Sequence, residues 1–180
     1  MIASVDSRNS AANFLKALDE AGFEAVVCGG VAAVYHGVER VTTDLDVSLN
    51  FATGSPEAFR RILKLFELTA RIPEPPEAIF DASRRRAWIE EKKAVVLAFT
   101  SEDGRFVVDV FLNYVVPHDE LAAEGHVVLD SKGTIMMSSI PHLIRAKRAV
   151  VPMRDKDIFD VRHLIRTLRE RRKHADEFKD

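Results

Sequence analysis

The sequence predicts an α/β (α+β) protein: a mixed β-sheet of about four to six strands, flanked by helices and followed by C-terminal helices. Three observations support this. Short apolar stretches with strand character recur along the chain, at 23–28, 44–51, 94–99, 105–114 and 126–130. Segments of helical periodicity lie between and around them. The third and fourth stretches are joined by "TSEDG", a hairpin-like turn, so the sheet combines a hairpin with helical crossovers.

Each element has a local reason. Ala11, Phe14, Leu15 and Leu18 recur at helical spacing within 7–21, and Gly22 supplies a stop. "FEAVVC" (23–28) reads as a buried strand that Gly29-Gly30 interrupts, and "VAAVYHG" as a short helix ended by Gly37. "DLDVSLNF" (44–51) alternates as a strand does. Ser55-Pro56 forms an N-cap and first-turn pair for a helix carrying Phe59, Ile62, Leu63 and Phe66. The proline-rich "RIPEPPEA" (71–78) reads as a loop or insertion. Ser139 to Ala149 and Asp155 to about Arg172 are helical, the latter with Ile158, Val161, Leu164, Ile165 and Leu168 on one face.

The chain's 180 residues are 47% hydrophobic and 30% charged, enough apolar content for a real core. The expected organisation is one domain over 1–180, with an α/β core at 1–136 and a helical part at 137–180. Its apolar runs are too short to span a bilayer, which makes a cytoplasmic protein without membrane contact the expectation. The single cysteine, Cys28, sits in an apolar run and reads as a buried, inert thiol. Net charge is −2, but 83–86 and 166–174 are locally basic, either solvated helix faces or docking surfaces for a phosphate-bearing polymer.

The chemistry concentrates in "VVCGGVAAVYHGVERVTTDLDVSLNF" (26–51). Residues i and i+2 of a strand share a face, so Asp44 and Asp46 project together while Leu45, Val47 and Leu49 turn to the core. Close like charges raise each other's pKa unless a cation lies between them. Asp109, set in apolar "FVVDVFL", would be costly if buried unpaired. It pairs with a base such as Arg40 or Arg105, or it helps ligate a metal. Three carboxylates on adjacent strands form a hard-oxygen donor set suited to Mg²⁺ or Mn²⁺. A glycine pair between strand and helix lets backbone N–H groups approach a phosphate closely. The bland alternatives are a tight turn for the glycines, an ion pair with Arg40 for the acids and a core salt bridge for Asp109. His36 reads as a structural group, and Thr42 and Thr43 as β-branched residues at a strand start.

"GGVAAVYHGVERVTTDLDV" resembles the signature of the polymerase-β-like nucleotidyltransferase superfamily. Gly-Gly-x-Ala with His36-Gly37, Arg40, Thr43 and Asp44-Leu45-Asp46 is similar to the minimal nucleotidyltransferases of the abortive-infection (AbiEii-like) toxin group. Lys147, followed by Lys156-Asp157 at the next helix, fits the same group. The resemblance implies a nucleotidyltransferase fold with a nucleoside triphosphate as substrate. It implies divalent metals on Asp44, Asp46 and Asp109, with Asp109 as a base. Gly29 and Gly30 would hold the β- and γ-phosphates, and Thr43, Arg40 and Lys147 would complete the nucleotide site. The implied reaction is attack of an acceptor hydroxyl, of RNA (tRNA among them) or of a protein side chain, on the α-phosphorus. A toxin acting beside an antitoxin protein is the implied setting. Two other classes fit the residues less fully: a module that binds nucleotide without transferring it, and a transferase acting on a small molecule such as an antibiotic.

Overall fold

The computed structural model describes residues 11–130 and 133–177. Seven strands form one mixed sheet: β1 (Ala25–Val27), β2 (Asp44–Leu49), β3 (Leu68–Ala70), β4 (Val96–Ser101), β5 (Val107–Phe111), β6 (His126–Asp130) and β7 (Gly133–Met137). Their order is β3-β4-β5-β2-β1-β7-β6. Two neighbour pairs, β2 with β5 and β1 with β7, are parallel. The other four are antiparallel, including the β4–β5 hairpin expected from "TSEDG". The mixed α/β class is as expected, with two more strands than the five the sequence reveals. β3 is only three residues long, too short to show a period. β7 has Met at two of its five positions, and Met carries little strand preference.

Seven α-helices accompany the sheet: α1 (Ala11–Glu20), α2 (Gly29–Tyr35), α3 (Pro56–Leu65), α4 (Ala82–Lys92), α5 (His118–Ala123), α6 (Ile140–Arg148) and α7 (Asp155–Glu177). The part of the first expected helix before Ala11 lies outside the described residues. Ser55 caps α3 through a hydrogen bond from the Ala58 N–H, with Pro56 in the first turn as the sequence predicts. Ser139 caps α6 in the same way. α2 starts earlier than expected. Gly29 and Gly30 are its first residues rather than a break before it, and Cys28 occupies the cap position without a side-chain bond.

One continuous core holds the sheet and most helices together, and its densest part is aromatic. Phe14 meets Phe66 and Phe106 edge-on, and Phe59 meets Phe23, Phe80 and Phe99. Phe80 belongs to a 3₁₀ turn, Pro76–Phe80, so the proline-rich segment is no bare loop: it seats an aromatic ring on the core. Its Glu74 accepts from the Trp88 indole N–H and ion-pairs with Arg84 and Lys92. Leu45, Val47 and Leu49 of β2 point into this core, leaving Asp44 and Asp46 on the opposite, partly open face. Among the described residues, no helix is long and apolar enough to cross a membrane.

Candidate active site

Strand geometry does most of the placing. β2 presents Asp44 and Asp46 on one face. Parallel pairing of β2 with β5 sets Asp109 beside Asp46, the two being register partners. All three acids line one cavity of about 610 Å³. Gly29, Gly30, Arg40 and Lys147 line it as well, so seven of the eight expected site residues converge there. Thr43 is the exception. It is exposed, its hydroxyl donates to Asp44 Oδ1 at 3.0 Å, and its neighbour Thr42 takes the place on the cavity wall.

The glycines are required by the acid behind them. Gly29 has a φ of +55°, and a Cβ at that position would overlap the Asp46 carboxylate. A Cβ on Gly30 would strike the Thr42 hydroxyl and crowd the Arg40 guanidinium. The Gly30 N–H donates to Asp46 Oδ2 at 3.2 Å. The first turn of α2 and the tip of β2 are therefore one packed unit, with no room for a side chain between them.

Electrostatics separate the acids of the sheet from those of the helices. Burial raises the Asp46 pKa and Asp44 adds to the rise, against the Gly30 N–H and Lys147. Asp109 is raised by burial too, then by Asp46 and Asp44. Neither base expected to neutralise Asp109 does so, since Arg40 turns to Asp160 and Arg105 to Asp103. The expectation that the three carboxylates meet as one ligand set also needs correcting. Among the described residues, no group of three or more His, Cys, Asp or Glu side chains is placed to hold a metal ion as it stands. Asp46 accepts from the Gly30 N–H and Asp44 from the Thr43 hydroxyl. The donor set nonetheless fits Mg²⁺ or Mn²⁺. It is all hard oxygen, among the described residues none of its acids forms an ion pair, and such ions leave part of their shell to water and phosphate. Cys28, the nearby soft donor, is fully buried, and burial pushes its thiol far above the usual range.

The cations across the cavity are engaged. Asp160, fully buried on α7, takes a two-pronged pair from Arg40 (Nε to Oδ1 2.8 Å, Nη2 to Oδ2 3.0 Å) and a bond from Lys147 Nζ at 2.6 Å. Burial opposes ionisation of Asp160, but the bonds from Arg40 and Lys147 outweigh it and hold its pKa below the ordinary range. Asp157 receives Arg154 at 2.6 Å and Lys147 at 3.5 Å. Arg154 and Lys156 complete the basic rim. Asp160 and Arg154 escape sequence reasoning, although "DIFDV" carried the signal that singled out Asp109: an acid among large apolar residues. Asp157 occupies the first turn of α7 and also pairs across to α6.

Two other expectations are settled by placement. His36 is buried away from the cavity, its Nε2 2.8 Å from the Ser138 carbonyl, which is a structural role. Of the basic segment at 83–86, Arg84 pairs with Glu74, while Arg85 donates to the Ile79 carbonyl and lies 4.2 Å over the Phe51 ring. Those arginines brace the proline-rich segment. On α7, Arg162, Arg166, Arg169 and Lys173 are exposed at spacings that share one helix face.

No family model and no curated protein matches the chain. Among solved structures it is similar to the solution structure of the antibiotic-resistance factor ANT(2'')-Ia, at 15% identity over 92% of each chain, with a TM-score of 0.49. At that identity and score the likeness identifies no activity and no substrate.

Proposed function

We propose that the protein is a divalent-metal-dependent nucleotidyltransferase that moves a nucleoside monophosphate from a nucleoside triphosphate to an acceptor hydroxyl. One observation supports this above the others: Asp46 and Asp109, in register on adjacent parallel strands, share a cavity with Gly29-Gly30 and Lys147, and among the described residues neither forms an ion pair, so both keep raised pKa values. Asp160 is bonded directly by Arg40 and Lys147, whereas among the described residues Asp46 and Asp109 feel cations only at longer range, too weakly to offset burial and each other.

In this reading Asp44, Asp46 and Asp109 would hold Mg²⁺, which supplies charge stabilisation at the attacking and leaving oxygens when bound. The first turn of α2 offers backbone N–H groups to phosphate. Lys147, Lys156 and Arg154 supply positive charge to the leaving pyrophosphate. Asp109, its pKa raised, accepts the proton of the acceptor hydroxyl. RNA as acceptor is supported by the exposed cationic face of α7, whose first turn stands at the cavity rim. The toxin setting, with an antitoxin partner, rests on the motif resemblance alone.

The test is transfer of label from each α-labelled triphosphate, with Mg²⁺, into total RNA and protein, beside an Asp46→Asn variant. Label that enters one fraction and disappears with the variant is the expected result. Label in neither fraction would overturn transfer. Should nucleotide still bind by calorimetry, the second reading would replace it: a module that binds nucleotide and keeps Arg40 and Lys147 committed to Asp160.

A further inference from the structure

The cavity has two unlike walls. The Gly29-Gly30 turn, Lys147, Arg154 and Lys156 make one part of the lining polar and cationic, the part assigned above to the triphosphate. A second part of the lining, at the start of β4 and from Phe111 onward past the end of β5, carries no charge. Val95 and Val115 are 53% and 42% exposed there, beside Phe111 and Asn113. Large apolar side chains left in contact with water on the wall of a polar cavity point to a ligand that covers them.

Position along β5 says which ligand. Alternation puts Asp109 and Phe111 on the same face, about 7 Å apart along the strand. A group that presents its hydroxyl to Asp109 therefore lays its adjoining part against Phe111 and the residues just beyond. Phe111 packs on Tyr114, ring centroids 4.2 Å apart, and Tyr114 is itself mostly buried against Cys28. Asn113 is anchored through its backbone N–H to the Val95 carbonyl at 3.2 Å, while its side-chain amide is exposed and has no hydrogen-bond partner among the described residues. An amide offers one acceptor and two donors. Framed by two valines, it is a site for an uncharged planar ring with polar edges.

We propose that Val95, Phe111, Asn113 and Val115 form the acceptor subsite, that it takes a nucleoside whose sugar hydroxyl faces Asp109, and that Asn113 reads the base edge. The proposal rests on the nucleotidyltransferase reading of the same cavity. In the step it serves, the acceptor oxygen bonds to the α-phosphorus and its proton passes to the Asp109 carboxylate. The bond from the α-phosphorus to the bridging oxygen breaks, and pyrophosphate leaves with that electron pair. A polycationic aminoglycoside finds no acid on this wall to draw it in.

The test is equilibrium binding to the full chain saturated with a non-hydrolysable triphosphate analogue and Mg²⁺. Three probes are titrated: an RNA trinucleotide, adenosine and an aminoglycoside. The expected result is that nucleoside-bearing probes bind and the aminoglycoside does not, with affinity falling about tenfold in Asn113→Ala and further in Val115→Asp. Affinity for the triphosphate analogue stays within about twofold of the parent protein, which also shows that the variants are folded. Trinucleotide binding without adenosine binding would assign the end of an RNA; equal binding would assign a free nucleoside. Tighter binding of the aminoglycoside, nucleoside binding untouched by both variants, or no nucleoside binding would overturn the subsite. Loss of analogue binding by the parent protein would instead overturn the nucleotidyltransferase reading, whatever the nucleosides do.

Discussion

The aspartates of the sheet and those of α7 stand in or beside the same cavity and are chemically identical, yet their circumstances are opposite. Asp160 is fully buried with two cations on it, and Asp157 is nearly as buried with two more contacts. Asp46 and Asp109 are less deeply buried, lie next to each other and, among the described residues, receive only the Gly30 N–H between them as a hydrogen-bond donor. A buried acid with its counter-charges contributes to the fold; a pair held together without any is stressed by the fold. The lesson is that charge compensation, more than burial, separates architecture from chemistry here. It also explains why the pairing of Arg40 and Lys147 with Asp160 is not legible in the sequence: that partner lies 120 and 13 residues away.

The sharpest way to break this comparison is to neutralise one acid from each set. On the proposed function, Asp46→Ala should lower nucleotidyl transfer by roughly a thousandfold, by removing a carboxylate assigned to the metal. Its stability in urea should stay equal or rise. A fall in stability like that of an α7 variant would erase the distinction. Asp160→Ala should do the reverse, costing about 3 kcal/mol in urea denaturation by leaving Arg40 and Lys147 without their shared partner.

Gly29→Ala sharpens the link between glycine and acid. The left-handed φ alone costs about 1–2 kcal/mol, and the methyl must displace the Asp46 carboxylate. Triphosphate affinity and thermal stability should therefore fall together, whereas Gly37→Ala, with nothing within 4 Å of its new Cβ, should change stability alone.

The pH dependence gives the two sets opposite signs. Asp46 and Asp109 have folded-state pKa values above the ordinary 3.8, so the native state binds their protons more tightly. Their contribution is most favourable below 3.8 and is lost as pH rises through the raised values. Asp109→Asn should accordingly stabilise the protein at pH 7 and have little effect at pH 3.5, by urea midpoints at both. Asp160 is depressed, so its contribution is complete above 3.8 and is lost as pH falls through its lower folded value. The smallest effect belongs to His36, whose pKa burial lowers. Its stability contribution is present above the ordinary 6.5 and declines below it, so His36→Gln should flatten the pH dependence of the urea midpoint below 6.5.

Much of this was open to a reader of the sequence, and for local reasons. Alternation in "DLDVSL" fixes which face Asp44 and Asp46 share, because strand side chains alternate whatever the sheet does. Ser55-Pro56 starts α3 because capping is settled within four residues. The aspartate in "FVVDVFL" stood out because an acid among large apolar residues must have a purpose. What proved illegible was of two kinds. β3 and β7 carry too little pattern to announce themselves, and the proline-rich segment hid an aromatic ring that completes the core.

By itself, then, the sequence determined the mixed α/β class, the acid-bearing strands and the glycine pair, all consequences of period and steric allowance within short windows. Tertiary structure alone decided that β5 lies parallel to β2 with Asp109 level with Asp46, and that Thr42 rather than Thr43 faces the cavity. It also decided that Arg40 and Lys147 are shared by an aspartate on α7. The physical reason is the range of the interactions. Side-chain alternation and caps act over a few residues, whereas register and charge pairing join groups 63 residues apart in the strands and 120 apart at Arg40 and Asp160. Only the folded chain brings such groups within Coulombic reach of one another.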